Sequence, residues 1–575
     1  MSYSAVEAAL RPNPIHNECR GAGGPTTTNR TFSSPPGRPR PPRPAPAIIP
    51  ATNAVGPIPP SGARSAQVPN RIEEAMTTHA PSARTLGELK ASGYCPRTVK
   101  QEVRENLIAA IREGRELFPG IVGYDKTVVP QLENAILSHH DFILLGLRGQ
   151  AKTRILRALT AFLDAWLPAV RGCEINDSPF APVCRACRNR LAELGDDLEI
   201  QWLGREDRYR EKLATPDVTI ADLIGDVDPI KAATRRLTFA DEEVIHYGII
   251  PRTNRGIFAI NELPDLQPRI QVGLLNILEE KDIQIRGFPV RIPLDLLLVF
   301  SANPEDYTNR GNIITPLRDR IASQITTHYP LEIEHGMAIT AQEAWTARDA
   351  GVEVQVPGYF RELIEEIAVQ ARQSEYVDQS SGVSARMTIA LLENVMSNAE
   401  RRGLRTGETA VQARLADLHG AVSAIGGKIE LVFEGEQEGA VNVARHLIGR
   451  GVKALFGRKF PDAHKTKGKE SAANPVYKPV LDWFAAGHTA EISDETPARE
   501  YHAALAKVTG LEALAHKHLK VSTPDELGPA MEFVLEGLHQ HSVLSRERVD
   551  LGRVAFKDVL KSMFSGLPAG DDDEE

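Results

Sequence analysis

The 575-residue sequence predicts an α/β fold, a parallel sheet flanked by helices, followed by a helical region. Three observations predict it. Short apolar runs bounded by polar residues are typical of buried strands. A glycine-containing turn joins the first of these runs to a helix, and a helical pattern of apolar residues continues from Pro357 onward. A chain of this length is too long for one hydrophobic core, so we expect about three folded units plus tails.

The first element is the segment Asp141–Leu156, DFILLGLRGQAKTRIL. Its apolar run Phe142–Leu145 predicts a buried strand. The following GLRGQAKT has the GxxxxGK[ST] spacing of a phosphate-binding P-loop, with Ala151 in place of the second glycine. From Thr153 the apolar residues recur at helical spacing. Strand, turn and helix in this order form the context that a P-loop requires.

The chemistry of such a loop assigns a role to each of its residues. Successive backbone N–H groups surround a polyphosphate, and a lysine neutralises its β and γ oxygens. The hydroxyl of the next residue is a ligand of Mg²⁺. The alternative is an ordinary strand-to-helix turn that happens to contain Lys-Thr. The predicted nucleotide-binding residues are Gly146, Gly149, Gln150, Ala151, Lys152 and Thr153.

Two helices are predicted ahead of the P-loop strand. Thr98 and Gln101 have the spacing of a capping box for a helix whose inward face carries Val99, Val103, Leu107 and Ile111. A second helix, with Leu132 and Ile136 inward, follows an extended segment. In that segment Ile121 and Val122 could lie beside an adenine, with simple packing as the alternative.

A second buried strand, Ile257–Ile260, ends in Asn261 and Glu262. Carboxylates at such a strand end, next to a P-loop, hold Mg²⁺ through water and activate the attacking water. Glu262 suits the second task. Asn261 stands where the carboxylate on the metal side is expected, and its amide carries no charge. We therefore expect weaker Mg²⁺ binding or slower hydrolysis than an aspartate would give.

Polar residues at three further places complete the predicted site. The apolar run Leu296–Phe300 predicts a third strand, and Asn303 just after it could orient a water molecule against a γ-phosphate. Arg320, with Arg318 as the alternative, could reach the γ-phosphate of a neighbouring subunit. Arg386 follows the helix N-cap Ser384, where a cation is unfavourable by about 0.3–1 kcal/mol unless an anion is near.

Three cysteines, Cys173, Cys184 and Cys187, lie in the segment CEINDSPFAPVCRAC. One CxxC pair with a third cysteine upstream resembles part of a zinc knuckle. No fourth ligand was identified at the usual spacing, since the nearest histidines are His139, His140 and His246. Structural thiols in a loop-rich insertion are therefore favoured over a zinc site.

Composition limits the classes of function. The chain is 42% hydrophobic and 25% charged, which is ordinary for globular protein, and its net charge of −9 gives no argument for nucleic-acid binding. No apolar run approaches the roughly 20 residues that span a bilayer. The N-terminus lacks the apolar core of a signal peptide, so a cytoplasmic location is expected. Five cysteines do not form a disulfide framework in a chain of this size.

The boundaries follow from shifts in composition. The N-terminal segment is rich in Pro and Arg and is expected to be disordered, and Met1 or Met76 could each be the translation start. The predicted units are a tail at 1–83, an α/β domain at 84–330 with a cysteine-containing insertion at about 170–212, a helical lid at 331–430, a helical C-terminal region at 431–568 and an acidic tail at 569–575.

These motifs, in this order, resemble the AAA+ ATPases. Three strands end in AKT, NE and SAN, followed by DR and by a helix that opens with SAR. GLRGQAKT, IVGYD, LIGDVD and a hairpin predicted within Glu243–Pro251 resemble the MoxR and magnesium-chelatase I-subunit branch. The resemblance covers roughly residues 85–403 and departs from the family at Asn261 and at the cysteine-containing insertion.

The resemblance implies a role for each predicted site residue. Lys152 and Thr153 would be the Walker A residues, and Asn261 and Glu262 the Walker B pair. Sensor 1, the arginine finger that acts in trans and sensor 2 would be Asn303, Arg320 and Arg386. The implied fold is a five-stranded parallel sheet with a helical lid. Members of the family assemble as rings, usually hexamers, and an arginine acting in trans requires a neighbouring subunit.

The resemblance also implies a function. The expected activity is Mg²⁺-dependent ATP hydrolysis that remodels or activates a partner, in this branch a protein with a von Willebrand factor A domain. One alternative is the ATPase subunit of a magnesium chelatase in tetrapyrrole biosynthesis. Another is a nucleotide-gated scaffold that hardly hydrolyses ATP, which Asn261 suggests. Transcriptional activation is disfavoured because a GAFTGA loop and a helix-turn-helix are absent from the sequence.

Overall fold

The fold is described from a computed structural model of the chain. The residues described are 79–235, 242–285, 291–304, 312–348, 351–465, 472–521, 523–550 and 552–559. Most of the predicted N-terminal tail, both candidate translation starts and the acidic tail lie outside them.

The α/β domain contains eleven described strands: β1 Phe142–Leu145, β2 Trp166–Val170, β3 Ile200–Gly204, β4 Tyr209–Leu213, β5 Gly225–Val227, β6 Ile245–Tyr247, β7 Gly256–Asn261, β8 Asp282–Gln284, β9 Arg291–Pro293, β10 Leu296–Ala302 and β11 Ser323–Thr326. Five of them form one sheet in the order β11-β1-β10-β7-β4, and every neighbouring pair in it is parallel. The five-stranded parallel sheet that the resemblance implies is therefore confirmed.

Alternating side chains of this sheet enter two different hydrophobic cores. Phe142 and Leu144 of β1 pack into one core, whereas Ile143 and Leu145 pack into the other. The same alternation continues along β7 and β10. A parallel sheet covered on both faces needs apolar residues on both sides of each strand. This is why the strands appear in the sequence as continuous apolar runs.

The α/β domain contains ten described α-helices, which cover the two faces of the sheet and its surroundings: α1 Leu86–Ala91, α2 Val99–Glu113, α3 Val129–Leu137, α4 Lys152–Ala158, α5 Arg185–Leu194, α6 Ile220–Leu223, α7 Pro229–Arg235, α8 Ile249–Arg252, α9 Pro268–Glu279 and α10 Thr315–Arg320. The predicted capping box at the start of α2 is present. The predicted inward position Ile111 on that helix is 45% exposed, which corrects the assigned face at its last turn.

Two details ahead of β7 differ from the sequence prediction. No hairpin forms within Glu243–Pro251, because only β6 of that segment is a strand and it pairs antiparallel with the distant β5. The cysteine-containing insertion also ends earlier than the predicted 212. Its antiparallel ribbon β2–β3 is followed by β4, which is an edge strand of the main sheet. Both differences arise from pairing between segments that are far apart in sequence.

The rest of the chain is mainly helical. Its described α-helices are α11 Ile333–Glu343, α12 Gly358–Ala371, α13 Arg386–Thr406, α14 Leu415–Gly420, α15 Val422–Gly426, α16 Phe433–Glu438, α17 Ala440–Lys459, α18 Lys478–Ala485, α19 Ala498–Leu505, α20 Leu511–Leu519 and α21 Pro524–Gln540. Its strands are β12 Glu353–Gln355, β13 Ala410–Gln412, β14 His464–Lys465, β15 Ala472–Ala473, β16 Ala490–Ser493, β17 Ser545–Asp550 and β18 Arg553–Lys557.

The predicted lid and C-terminal region share one hydrophobic core, which runs from Tyr359 of α12 to Phe556 of β18. Strands β16, β18 and β17 form an antiparallel sheet that the sequence analysis did not predict. The region predicted as helical therefore also contains a small sheet. Among the helices that the structure describes, none combines the length and the apolar character needed to cross a bilayer.

Candidate functional site

The P-loop connects β1 to α4, and its glycines lie where side chains would not fit. A Cβ atom on Gly146 would lie 1.9 Å from Thr327 Oγ1 and 2.1 Å from Gln150 Oε1. Gly149 has a φ of +76°, and a Cβ atom there would lie 2.0 Å from Ser384 Oγ. Both positions therefore require glycine in this conformation.

Ala151, which replaces the second glycine of the motif, adopts the left-handed conformation with φ 55° and ψ 14°. This conformation costs a residue with a Cβ atom roughly 1–2 kcal/mol, which explains why glycine is usual in this place. The loop around Ala151 is held by side-chain bonds. Thr327 Oγ1 donates to Gln150 Oε1 at 2.7 Å, and Tyr124 Oη donates to Gln150 O at 3.1 Å. Burial raises the pKa of Tyr124 to about 12, so its hydroxyl remains a donor at neutral pH.

The centre of the site is a chain of three polar side chains. Lys152, which is 7% exposed, donates to the backbone oxygens of Gly146 and, at 3.0 Å, Leu147. It also donates to Asn303 Oδ1 at 2.6 Å. Asn303 Nδ2 donates in turn to Glu262 Oε2 at 2.6 Å. The structure thus brings together the predicted Walker A lysine, sensor 1 amide and Walker B glutamate, which follow three neighbouring strands of the sheet.

Glu262 is held in place by its backbone as well as by Asn303. Its φ of 57° and ψ of 49° lie in the left-handed region, which is strained for a residue with a Cβ atom. Its N–H group donates to Ser301 Oγ at 3.3 Å. The Ser301 hydroxyl donates to Asn261 Oδ1 at 3.0 Å. Ser301 therefore links both residues of the Walker B pair, a role that the sequence analysis did not identify.

The lid lies directly against the P-loop. Arg148 Nε donates to Ser381 O at 3.3 Å, and Arg148 Nη2 is 2.6 Å from Glu430 Oε1. Ser384 approaches Gly149 closely, as described above, and its Oγ accepts from the N–H group of Arg386 at 3.1 Å. The exposed Arg386 is the first residue of α13, whose N-cap is Ala385 and not the predicted Ser384, and its role as sensor 2 stays a prediction.

The segment predicted to contact adenine lies between the α/β domain and the lid. Ile121 and Val122 are both half-buried. Gly120, just ahead of them, accepts through its backbone oxygen from Gln342 Nε2 of the lid at 3.2 Å. Arg154 of α4 forms an ion pair with Glu343 at the end of the same lid helix. The two residues therefore occupy the junction next to the P-loop helix.

The predicted arginine fingers lie on α10. Arg320 forms an ion pair with Glu279 of α9 at 2.6 Å, and its Nη1 atom donates to Pro316 O at 3.0 Å. Arg318 is exposed. Thr153 is half-buried on α4, directly after Lys152.

The three predicted cysteines converge at a separate place, within the insertion. All three are buried, and a fourth buried residue, Asp177, joins them. The sequence analysis missed Asp177 because it considered only histidine and cysteine as the fourth ligand. The spacing Cys-x₃-Asp in CEINDSPFAPVCRAC could have indicated it, since carboxylate oxygen is also a zinc ligand.

Comparisons with known proteins give limited similarity. No family model matches the sequence. The hydrogenase transcriptional regulatory protein HoxA of Cupriavidus necator is 31% identical over 93 residues, which cover 16% of this chain and 19% of HoxA. The chain therefore matches about a fifth of the length of this curated relative.

Solved structures with low similarity include a putative ATPase from Cytophaga hutchinsonii, with 16% identity, a TM-score of 0.25 and coverage of 63% of this chain and 98% of that one. A complex of magnesium chelatase subunits BchI and BchD has 19% identity and a TM-score of 0.29, and the match covers 56% of this chain and 98% of that one. NtrX from Brucella abortus has 15% identity and a TM-score of 0.27, and the match covers 51% of this chain and 54% of that one. At these scores the likenesses carry no argument by themselves. The resemblance to AAA+ ATPases rests on the P-loop, the five-stranded parallel sheet and the lid described above.

Proposed function

We propose that this protein binds ATP and hydrolyses it to remodel or activate a partner protein, as a motor of the MoxR and magnesium-chelatase type. The observation that carries this proposal is the hydrogen-bonded chain Lys152–Asn303–Glu262 at the carboxyl ends of three parallel strands. Ligands of open α/β sheets bind at this edge. A phosphate-binding cation, a water-orienting amide and a general base are the groups that ATP hydrolysis needs in one place.

The residues present fit a nucleotide triphosphate. Lys152 is a nearly buried cation that contacts neutral oxygens of Gly146, Leu147 and Asn303. The ammonium group of a P-loop lysine binds the β and γ phosphate oxygens, so a polyphosphate suits this position. Glycine at positions 146 and 149 lets the loop turn tightly, and successive N–H groups of such a loop bind phosphate oxygens.

The Mg²⁺ ligands fit less completely. Thr153 offers a hydroxyl, and Asn261 offers a neutral amide whose oxygen already accepts from Ser301. When bound with ATP, Mg²⁺ supplies neutralisation of the charge on the β and γ oxygens. The chain's own groups then do the remaining work. Glu262 accepts the proton of the attacking water, and Asn303 orients that water while holding the Glu262 carboxylate.

The choice between a motor and a scaffold depends on Asn261. We expect the wild-type protein to hydrolyse ATP in the presence of Mg²⁺ and to lose this activity in EDTA. Asn261→Asp should raise turnover, but by less than about tenfold, or 1.4 kcal/mol. The fold should tolerate the change because Ser301 Oγ can donate equally to a carboxylate. Phosphate release and equilibrium ATP binding are the two measurements. The scaffold would instead be established if the wild type bound ATP stoichiometrically with negligible turnover and Asn261→Asp gained turnover.

The predicted trans-acting arginine supports assembly as a ring of identical subunits. We expect Arg320→Ala to lower steady-state turnover by about a thousandfold while ATP binding is retained, since such arginines act on the transition state of a neighbour. Arg318→Ala, on the same helix and with the same charge change, is the matched comparison and should retain most of the turnover. If Arg318→Ala lost turnover instead, Arg318 would be the arginine finger. If neither variant lost turnover, no arginine of α10 would act as the finger.

The proposed function also includes a partner protein. The branch that the motifs resemble acts with proteins that carry a von Willebrand factor A domain, and such a protein is the proposed partner. The alternative, a magnesium chelatase subunit, requires pigment-biosynthesis partners. Co-purification from the native host, followed by identification of the bound protein, distinguishes the two.

A further inference from the structure

Three sulfur atoms and one carboxylate oxygen of the insertion surround a common point. The ligand atoms of Cys173, Asp177, Cys184 and Cys187 all lie within 4.8 Å of one another, and all four residues are buried. In a tetrahedral zinc site, with Zn–S bonds of about 2.3 Å, sulfur atoms lie about 3.8 Å apart. The largest distance between the four atoms therefore exceeds the sulfur–sulfur distance of a zinc site by only about 1 Å.

The local backbone delivers these ligands from two short segments. Cys173 lies in the turn after β2, where its N–H group donates to Val170 O at 3.1 Å. Cys184 is the N-cap of α5, and Cys187 lies in the first turn of that helix. The Cys187 N–H group donates to Cys184 Sγ at 3.3 Å, which fixes the position of this sulfur atom. A turn and a helix start thus bring the three thiols together.

Asp177 supplies the independent evidence for a ligand. Its exposure is 0%, and its Oδ2 atom accepts from the Cys184 N–H group at 2.9 Å. Its Oδ1 atom is buried and has no hydrogen-bond partner among the residues described. A buried polar atom without a partner costs about 1–3 kcal/mol, and more for a charged group. A cation held by this carboxylate and the three sulfur atoms would remove that cost.

One cation of the surroundings contacts the cluster directly. Three thiolates and one carboxylate around a divalent cation leave a net charge of −2. Arg190 Nη2 donates to Cys187 Sγ at 2.9 Å, and Arg190 Nη1 is anchored on Arg171 O at 2.7 Å. Lys231 also lines this cavity, together with the carboxylates of Glu242 and Glu243. The guanidinium group of Arg190 therefore contacts the cluster and offsets part of its negative charge.

We propose that Cys173, Asp177, Cys184 and Cys187 bind one zinc ion as a structural site. Thiolate ligands select zinc over the hard cations Mg²⁺ and Ca²⁺. Four protein ligands complete a tetrahedral shell and leave no open position for a reacting water, as in structural and not catalytic zinc sites. This proposal does not depend on the proposed ATPase activity.

The ion would fix a loop on which the Walker B strand rests. Asn254, two residues ahead of β7, donates through Nδ2 to Ile175 O of the loop at 3.0 Å. Asn176 Nδ2 donates back to Arg252 O at 3.0 Å. Both loop residues lie between the ligands Cys173 and Asp177. Zinc removal should therefore lower the melting temperature of the α/β domain.

The test measures zinc bound to the purified full chain, expressed with zinc in the medium and analysed by atomic emission. We expect one zinc per chain in the wild type and a loss of at least about tenfold in zinc affinity in Asp177→Asn and Cys187→Ser, because loss of a ligand weakens the site strongly. Cys95→Ser, an exposed cysteine outside the cluster, is the matched control and should retain one zinc. Zinc retained in full by Asp177→Asn and Cys187→Ser would overturn the proposal.

Two further measurements keep the test decisive if a variant fails to fold. Asp177→Cys replaces the carboxylate by a fourth thiolate and should also retain one zinc. Cobalt added to the metal-free wild type should give the thiolate charge-transfer and visible bands of a tetrahedral cobalt site. A wild-type chain that is folded, free of zinc and spectroscopically silent towards cobalt would refute the site.

Discussion

Glu262→Gln should abolish ATP turnover while ATP binding is retained. A glutamine has the shape of the glutamate and can still accept the hydrogen bond from Asn303 Nδ2, which is 2.6 Å long in the wild type. The basicity and the negative charge of the side chain are lost, while its shape is kept. Removal of a positioned general base typically slows a reaction by about 10²–10⁴-fold, or roughly 3–5 kcal/mol in the barrier. Single-turnover phosphate release and equilibrium binding of ATP are the two measurements.

The matched control for this variant is Glu280→Gln, which removes one exposed carboxylate from the same domain. It should leave both turnover and binding unchanged. The melting temperature of Glu262→Gln should stay close to that of the wild type, because the left-handed backbone at position 262 is retained. Turnover at the wild-type rate in Glu262→Gln would show that another group accepts the proton of the water.

The strands that position the site could be predicted because their pattern is local. Parallel strands buried on both faces are continuously apolar, and the runs at β1, β7 and β10 lie within two residues of their predicted bounds. The polar residues at the strand ends could be predicted from the same local pattern, because each one follows an apolar run. What the sequence could not predict is how these ends connect, since the bonds of Asn303 to Lys152 and Glu262 join three separate strands.

Pairing over long distances accounts for most of what was missed. Glu102, on the polar side of the predicted helix α2, is 2% exposed, because Arg208 forms two hydrogen bonds with it at 2.7 and 2.6 Å from 106 positions away. Strand β18 pairs with β16 on one side and with β17 on the other. Strand β17, SRERVD, is largely charged, so no apolar pattern indicates it.

The cysteine cluster shows the same limit at a smaller scale. Three thiols in CEINDSPFAPVCRAC did not decide between a metal site and ordinary packing. The decisive observation is the burial of Asp177 with one oxygen atom lacking a partner, and it depends on coordinates. A search for acidic ligands between the cysteines would have identified the residue but not its environment.

Lys152→Ala should weaken ATP binding by about a hundredfold or more and thereby remove turnover at ordinary ATP concentrations. Two charge-assisted hydrogen bonds to phosphate, each contributing about 1.5–3 kcal/mol, are lost with the ammonium group. Isothermal titration with ATP measures the effect directly. The variant also leaves the backbone oxygens of Gly146 and Leu147 and the amide of Asn303 without this donor, so its folding should be checked by thermal unfolding.

The comparison that isolates the role of Lys152 is Arg157→Ala on the same helix. Arg157 pairs with Glu211 on the solvent side of α4, where its side chain is 62% exposed. Its loss removes the same charge from the same helix but should cost at most about 1 kcal/mol of stability. Long-range attraction of ATP to a basic helix predicts equal losses of affinity in the two variants. Contact of Lys152 with the phosphates predicts a large loss in Lys152→Ala alone, and equal losses would therefore remove Lys152 from the binding site.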